Sequence, residues 1–166
     1  MSSLKWSTRY SYLAQQKYLQ LVPNDKEIVS IHVRRGDYLL QHCQQTFCIL
    51  DNSYYSEAVS LFVNELDKYH FLVFSNDIDY CKDNLIDGDM VTFVEQGIDY
   101  VDLIVMSMCH HNIIANSSYS WWAAFFNKNN NKKIICPSNY IKSTSPFAII
   151  NKQYYPPSWI NIDNEA

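Results

Sequence analysis

The sequence predicts an α/β fold, a parallel β-sheet with helices on both faces. Three observations predict it. Short β-branched apolar runs alternate with helical patterns along most of the chain. The connections between them are short, as βαβ units require. The 166 residues, 48% hydrophobic and 18% charged, make one domain able to bury a core, neither a disordered tail nor a coiled coil.

The elements follow in order. From Leu4 to about Val22, Tyr10, Leu13, Tyr18 and Leu21 recur at helical spacing until Pro23-Asn24-Asp25 ends the helix. Glu27 to Val33, EIVSIHV, reads as a buried strand that stops at the polar RRGDY. A loop runs from there to about Phe47. Ser53 to Tyr69 reads as a helix capped by Asn52 or Ser53, with Tyr55, Ala58, Val59, Phe62 and Leu66 inward. Phe71 to Ser75 is the second strand. A short helix starts at Asp77 and Asp79 and ends near Gly88. Met90 to Val94 is the third strand, and Asp99 to Cys109 an apolar, buried helix. Asn112 to Asn116 is the fourth strand, followed by a helix from Ser117 or Ser118 and a fifth strand, Lys132 to Pro137. The rest, to Ala166, reads as loop with a short apolar end, SWINI. Residues 1–26 then form an N-terminal helical segment, and 27–166 the sheet domain.

Composition excludes several functions. Only three glycines occur, Gly36, Gly88 and Gly97, and none sits in a GxGxxG or GxxxxGK[ST] pattern. The net charge is −4 and the 13 Lys and Arg are scattered, so no basic stripe offers itself to a nucleic acid. The longest apolar run, around Val101 to Met108, is too short to span a bilayer. With no apolar leader and no anchor, the chain is expected in the cytoplasm or peripheral to a membrane. Five cysteines without a leader suggest free thiols. Cys43 and Cys48 near His42, and Cys109 beside His110 and His111, lack a CxxC pair and read as buried thiols and ordinary histidines. Asp77 and Asp79 read as helix-start acids, so no metal is expected.

Ligands on parallel sheets sit at the carboxyl ends of strands. HVRRGDY and ANSSYSWW both fall at such ends. Arg34 and Arg35 offer planar donor forks for a phosphate, or make structural ion pairs; as neighbours they point opposite ways, so one can face a ligand while the other pairs with Asp37 or a helix. Ser117 and Ser118, after Asn116, open a helix whose free N–H groups suit an anion, or they simply cap it. Together the two ends suggest a diphosphate site. Asp102 fits a base with two adjacent donors, as in guanine, or an ordinary first-turn acid. Trp121 and Trp122, as neighbours, cannot share a face; both read as core, or one as core and the other as lining a cleft. The Arg35-Gly36-Asp37 tripeptide is not read as an adhesion motif in a chain without a leader.

HVRRGDY at 32–38, FSNDIDYCKDNL at 74–85 and DLIVMSMCHHNIIANSSYSWWAAFF at 102–126, followed by CPSNY and YYPPSWINI, resemble the α-1,2-fucosyltransferases of glycosyltransferase family 11. The resemblance runs from about Glu27 to the C-terminus and implies a Rossmann-like domain, one half of a GT-B-like enzyme. It implies inverting, metal-independent transfer of fucose from GDP-fucose to the 2-hydroxyl of a terminal galactose, with no cofactor besides the donor. By position, Arg34 would hold the β-phosphate and Arg35 support it. His32 and Asp102 would face guanine, and Asn116, Ser117 and Ser118 would lie against diphosphate and fucose. Asp37 is the nearest candidate base, although an ion pair with an arginine would weaken it in that role. Asn76 stands where the family carries a second acidic residue, and family members carry a further domain before this motif. A binding module without turnover, a structural remnant, or a chain that pairs with itself or a partner are the competing expectations.

Overall fold

The computed structural model describes residues 6–86 and 88–164. Leu4 and Ala166, which bound the first and last predicted segments, lie outside the described residues. Helix α1, Thr8–Leu21, is capped by Ser7, whose hydroxyl accepts the Tyr10 N–H. Strand β1, Glu27–Val33, runs into a 3₁₀ turn, Gly36–Leu39, and a single helical turn α2, Gln41–Gln44. Helix α3, Asn52–Val63, is followed by β2, Tyr69–Ser75, and α4, Ile78–Asn84. Then come β3, Val91–Phe93, α5, Asp99–Met108, and β4, His111–Ile113. Helix α6, Ser118–Phe126, leads to β5, Ile134–Pro137, then a short helix α7, Asn151–Tyr154, and β6, Ile160–Ile162.

All six strands are parallel, in the order β3-β2-β1-β4-β5-β6. This is the doubly wound, Rossmann-like order. The chain winds outward from β1 to β3, returns through α5, and winds outward again from β4. The switch point therefore lies between β1 and β4, with Ser30 opposite Asn112.

Strand alternation divides the core. Val29, Ile31, Val33, Phe71 and Val73 face α3 and α4, packing on Tyr54, Tyr55, Ala58, Phe62 and Cys81. Ile28, Leu72 and Phe74 face the other side, where Ala14 of α1, Val101, Ile104 and Val105 of α5 and Ala123 of α6 close over them. Helix α1 is thus a layer of the same domain. Ser30 and His32 share this second face by parity.

Several boundaries differ from the sequence reading. Helix α3 ends at Val63, not Tyr69, because the chain must turn to feed β2, and its cap is Asp51, whose carboxylate accepts the Ser53 and Tyr54 N–H groups. The SWINI end is no loop: 160–162 pair with 135–137 as the sixth strand. Trp122 is 43% exposed rather than core, while Trp121 packs by Tyr155 and Trp159 and donates from Nε1 to the Tyr154 carbonyl. None of the five cysteines is in a disulfide. Among the described residues, no helix is long and apolar enough to cross a membrane.

Candidate functional site

Parity at the end of β1 decides between the two arginines. Arg34 follows His32 onto the α5 and α6 face. Arg35 falls on the α3 and α4 face, where its Nε donates to Asp77 at 3.2 Å and its Cζ lies 3.4 Å from the Tyr80 ring centroid. Asp77 also caps α4, accepting the Tyr80 N–H. Arg35 is therefore held by α4, and Arg34 is left for the cleft.

That cleft, of about 150 Å³, lies over the carboxyl ends of the strands and is lined by His32, Arg34, Phe74, Asn76, Asp102 and Tyr119 among others. It is smaller than a pocket that encloses a whole drug-sized ligand, which runs to roughly 300–1,000 Å³. It suits one end of an extended ligand. His32 forms its floor, 4% exposed, with its ring 5.3 Å from that of Tyr119. Tyr119 donates its hydroxyl to the Asp99 carbonyl at 2.6 Å. His32 Nδ1 is buried without a hydrogen-bond partner. Such an atom costs free energy unless something fills its valence.

Asp102 sits in the first turn of α5, 6% exposed. Its Oδ1 is 2.5 Å from Lys17 Nζ, and its Oδ2 accepts the Gly97 N–H at 3.3 Å. A carboxylate has about four lone-pair sites, so capacity for a ligand's donors remains. Arg34 Nη2 lies 2.8 Å from the Asp37 carboxylate, and its Cζ lies 5.5 Å from the Tyr38 ring. Asp37 is thus engaged by the arginine.

The fourth strand ends nearby. Ser117 precedes α6 but makes no side-chain cap, so the simple capping reading does not describe it. Ser118 is exposed in the first turn and Ser117 is buried. Asn116 is 0% exposed, and its amide nitrogen donates to the Cys48 and Tyr140 carbonyls. The Tyr38 hydroxyl donates to its carbonyl. Asn116 ties three loops beneath the site, and its Oδ1 is buried without a hydrogen-bond partner.

The histidine clusters also resolve. His110 Nδ1 accepts the Ile28 N–H, and His111 Nε2 pairs with Glu27 at 2.8 Å, both at the amino ends of the central strands, away from the cleft. Among the described residues no three His, Cys, Asp or Glu side chains are grouped to hold a metal ion.

The sequence reading did not place Tyr119 or Lys17 in the site, and singled out Asn76 only as a departure from the family. Tyr119 was findable, since it lies in ANSSYSWW at the same helix start. Asn76 accepts the Arg35 N–H at 3.0 Å and packs against Gly36, whose φ is +26°. A Cβ on Gly36 would overlap the Asn76 amide. Gly36→Ala is expected to destabilise by about 1–3 kcal/mol through backbone strain and to displace Arg34; thermal melts and ligand titration check it.

Burial, aided by the Arg34 charge, lowers the His32 pKa to about 3 from an ordinary 6.5. Between these values the unfolded chain binds more protons, so stability falls as pH drops through that window. Burial also lowers His70 and His110, with the same sign. Melting temperature is expected to fall between pH 7 and pH 4, and less steeply in His32→Gln.

The chain is 30% identical over 150 residues to the O-antigen biosynthesis glycosyltransferase WbnK of Escherichia coli, covering 87% of this chain and 48% of that protein. An alpha-1,2-colitosyltransferase of Escherichia coli is 35% identical over 98 residues, covering 56% and 34%. The human galactoside alpha-(1,2)-fucosyltransferase 1 is 29% identical over 117 residues, covering 67% and 32%. The chain spans about half, or less, of the length of these relatives. The crystal structure of POFUT1 in complex with GDP shares the fold, with a TM-score of 0.56 at 13% identity, over 80% of this chain and 47% of that one. The sequence profile of Glycosyl transferase family 11 matches residues 11–163, nearly the whole chain from within α1 to beyond β6. The chain belongs to glycosyl transferase family 11.

Proposed function

We propose that this chain forms the donor-binding half of an α-1,2-fucosyltransferase, taking GDP-fucose and transferring fucose to the 2-hydroxyl of a terminal galactose. One observation carries it: Arg34 and the uncapped start of α6 stand at the ends of two neighbouring parallel strands, beside a cleft lined by His32 and Asp102. The name of the human relative supports fucose and the α-1,2 linkage, and that of the colitosyltransferase supports the linkage.

In this reading guanine enters the cleft, with the His32 Nδ1 and the Asp102 carboxylate toward its edge. The diphosphate lies over Arg34 and the first-turn N–H groups of α6, with Ser117 and Ser118 beside it. The bond from fucose C1 to the β-phosphate oxygen breaks, and its electron pair leaves with GDP. Arg34 stabilises the charge that develops on that oxygen, so neither a metal nor a further cofactor is needed for this step. The galactose oxygen attacks C1 from the opposite face, inverting it, and its proton passes to a base. Arg35 positions these parts without touching the donor.

The test is incubation with GDP-fucose and a terminal β-galactoside, with GDP and a new fucoside read by mass spectrometry. A second reading, donor binding without turnover, is favoured by Asp37: the acid expected as the base is held in an ion pair with Arg34. Donor binding with no product from any galactoside would select it.

A further inference from the structure

Lys17 lies on α1, far in sequence from every motif of the site, yet it reaches the cleft wall. Its ammonium is 2.5 Å from Asp102 Oδ1 and donates to the Glu95 carbonyl at 3.3 Å. The other Asp102 oxygen takes the Gly97 N–H. A Cβ on Gly97 would stand 3.2 Å from Lys17 Nζ, so the glycine lets the amine close over the loop. Lys17, Asp102 and residues 95–97 thus form one linked unit, and Gln96 and Asp102 line the cleft. Asp102 is nearly buried and Lys17 half-buried. A buried carboxylate without a partner is costly, so the amine fixes both where the carboxylate stands and how it is turned.

We propose that Lys17 is a positioning residue for the base end of the cleft: it aims the Asp102 carboxylate at the two adjacent donors of guanine and holds the 95–97 loop as the wall beside it. This rests on reading the cleft as a GDP site. A helix that sequence alone sets apart as an N-terminal segment then supplies part of the nucleotide selectivity. Positioning through a neighbouring group governs affinity and discrimination together.

The experiment compares GDP with inosine diphosphate, which lacks the 2-amino donor, by calorimetry well below the melting temperature. The native chain should prefer GDP. Lys17→Met should lose about tenfold in GDP affinity and little for inosine diphosphate, so the preference collapses. Lys17→Arg, which keeps the charge and donors, should restore most of it. Lys17→Met with native affinity and native preference, even with a lowered melting temperature, overturns the proposal. A second measurement needs no nucleotide: amide exchange at Gly97 should quicken in Lys17→Met while α1 and α5 stay protected. If the native chain binds neither nucleotide, the donor reading falls, and unchanged Gly97 exchange then separately overturns the role of Lys17 in holding the loop.

Discussion

Arg34→Ala is expected to weaken GDP binding by about a hundredfold or more, the cost of removing a charged, hydrogen-bonding partner from a partly desolvated site. The reason is geometric. Arg34 is the arginine of the pair that parity turns toward the cleft, whereas Arg35 is spent on Asp77 and Tyr80. Arg34→Lys keeps the charge but loses the planar fork, so it should recover only part of the loss. The fold should survive, because Arg34 is only partly buried and its ion-pair partner Asp37 is exposed. Arg35→Ala should act differently, loosening the contact between the β1 end and α4 and lowering the melting temperature as well as affinity. Calorimetry beside thermal melts separates the two.

Asn112→Ala is expected to be the most destabilising polar change. Its amide donates to Ser30 Oγ at 2.7 Å and to the Met106 carbonyl at 2.8 Å, and its oxygen accepts from Asn127 at 2.7 Å. Asn127 in turn donates to the Cys109 carbonyl. Asn112 and Asn127 are 1% and 2% exposed. This network bolts β1, β4, α5 and the end of α6 together at the switch point. Removing the amide strands several buried groups at once, for a cost of about 3 kcal/mol or more, since each unsatisfied group costs about 1–3 kcal/mol. In a domain of this size that lowers the melting temperature by about 6–12 °C. Urea unfolding should show a shifted midpoint at unchanged slope.

Much of this architecture was legible because the signals were local. EIVSIHV and FLVFS are short, apolar and β-branched or aromatic, and both became central parallel strands. RRGDY and ANSSYSWW marked the two strand ends at which the site lies, since polar residues after a buried strand have few other places to go. The misses share a cause, which is contact over long sequence distance. Residues 160–162 made too short a run to announce a strand, and only pairing with β5 defines them. Trp122 lay in an apolar run, WWAAFF, with no periodicity to say which ring faces out. Lys17 is separated from Asp102 by most of two βαβ units, so no spacing could join them.

The most direct measurement is titration of GDP into the purified chain by calorimetry, with ADP as the control. Adenine offers a different edge to His32 and Asp102, whereas the diphosphate is the same. Saturable binding of GDP, with ADP binding at least tenfold weaker, is the expected result. Equal binding of the two would show that Arg34 and α6 hold a diphosphate while the cleft does not read guanine. Absence of GDP binding at millimolar concentration would contradict a nucleotide-sugar site at the ends of β1 and β4.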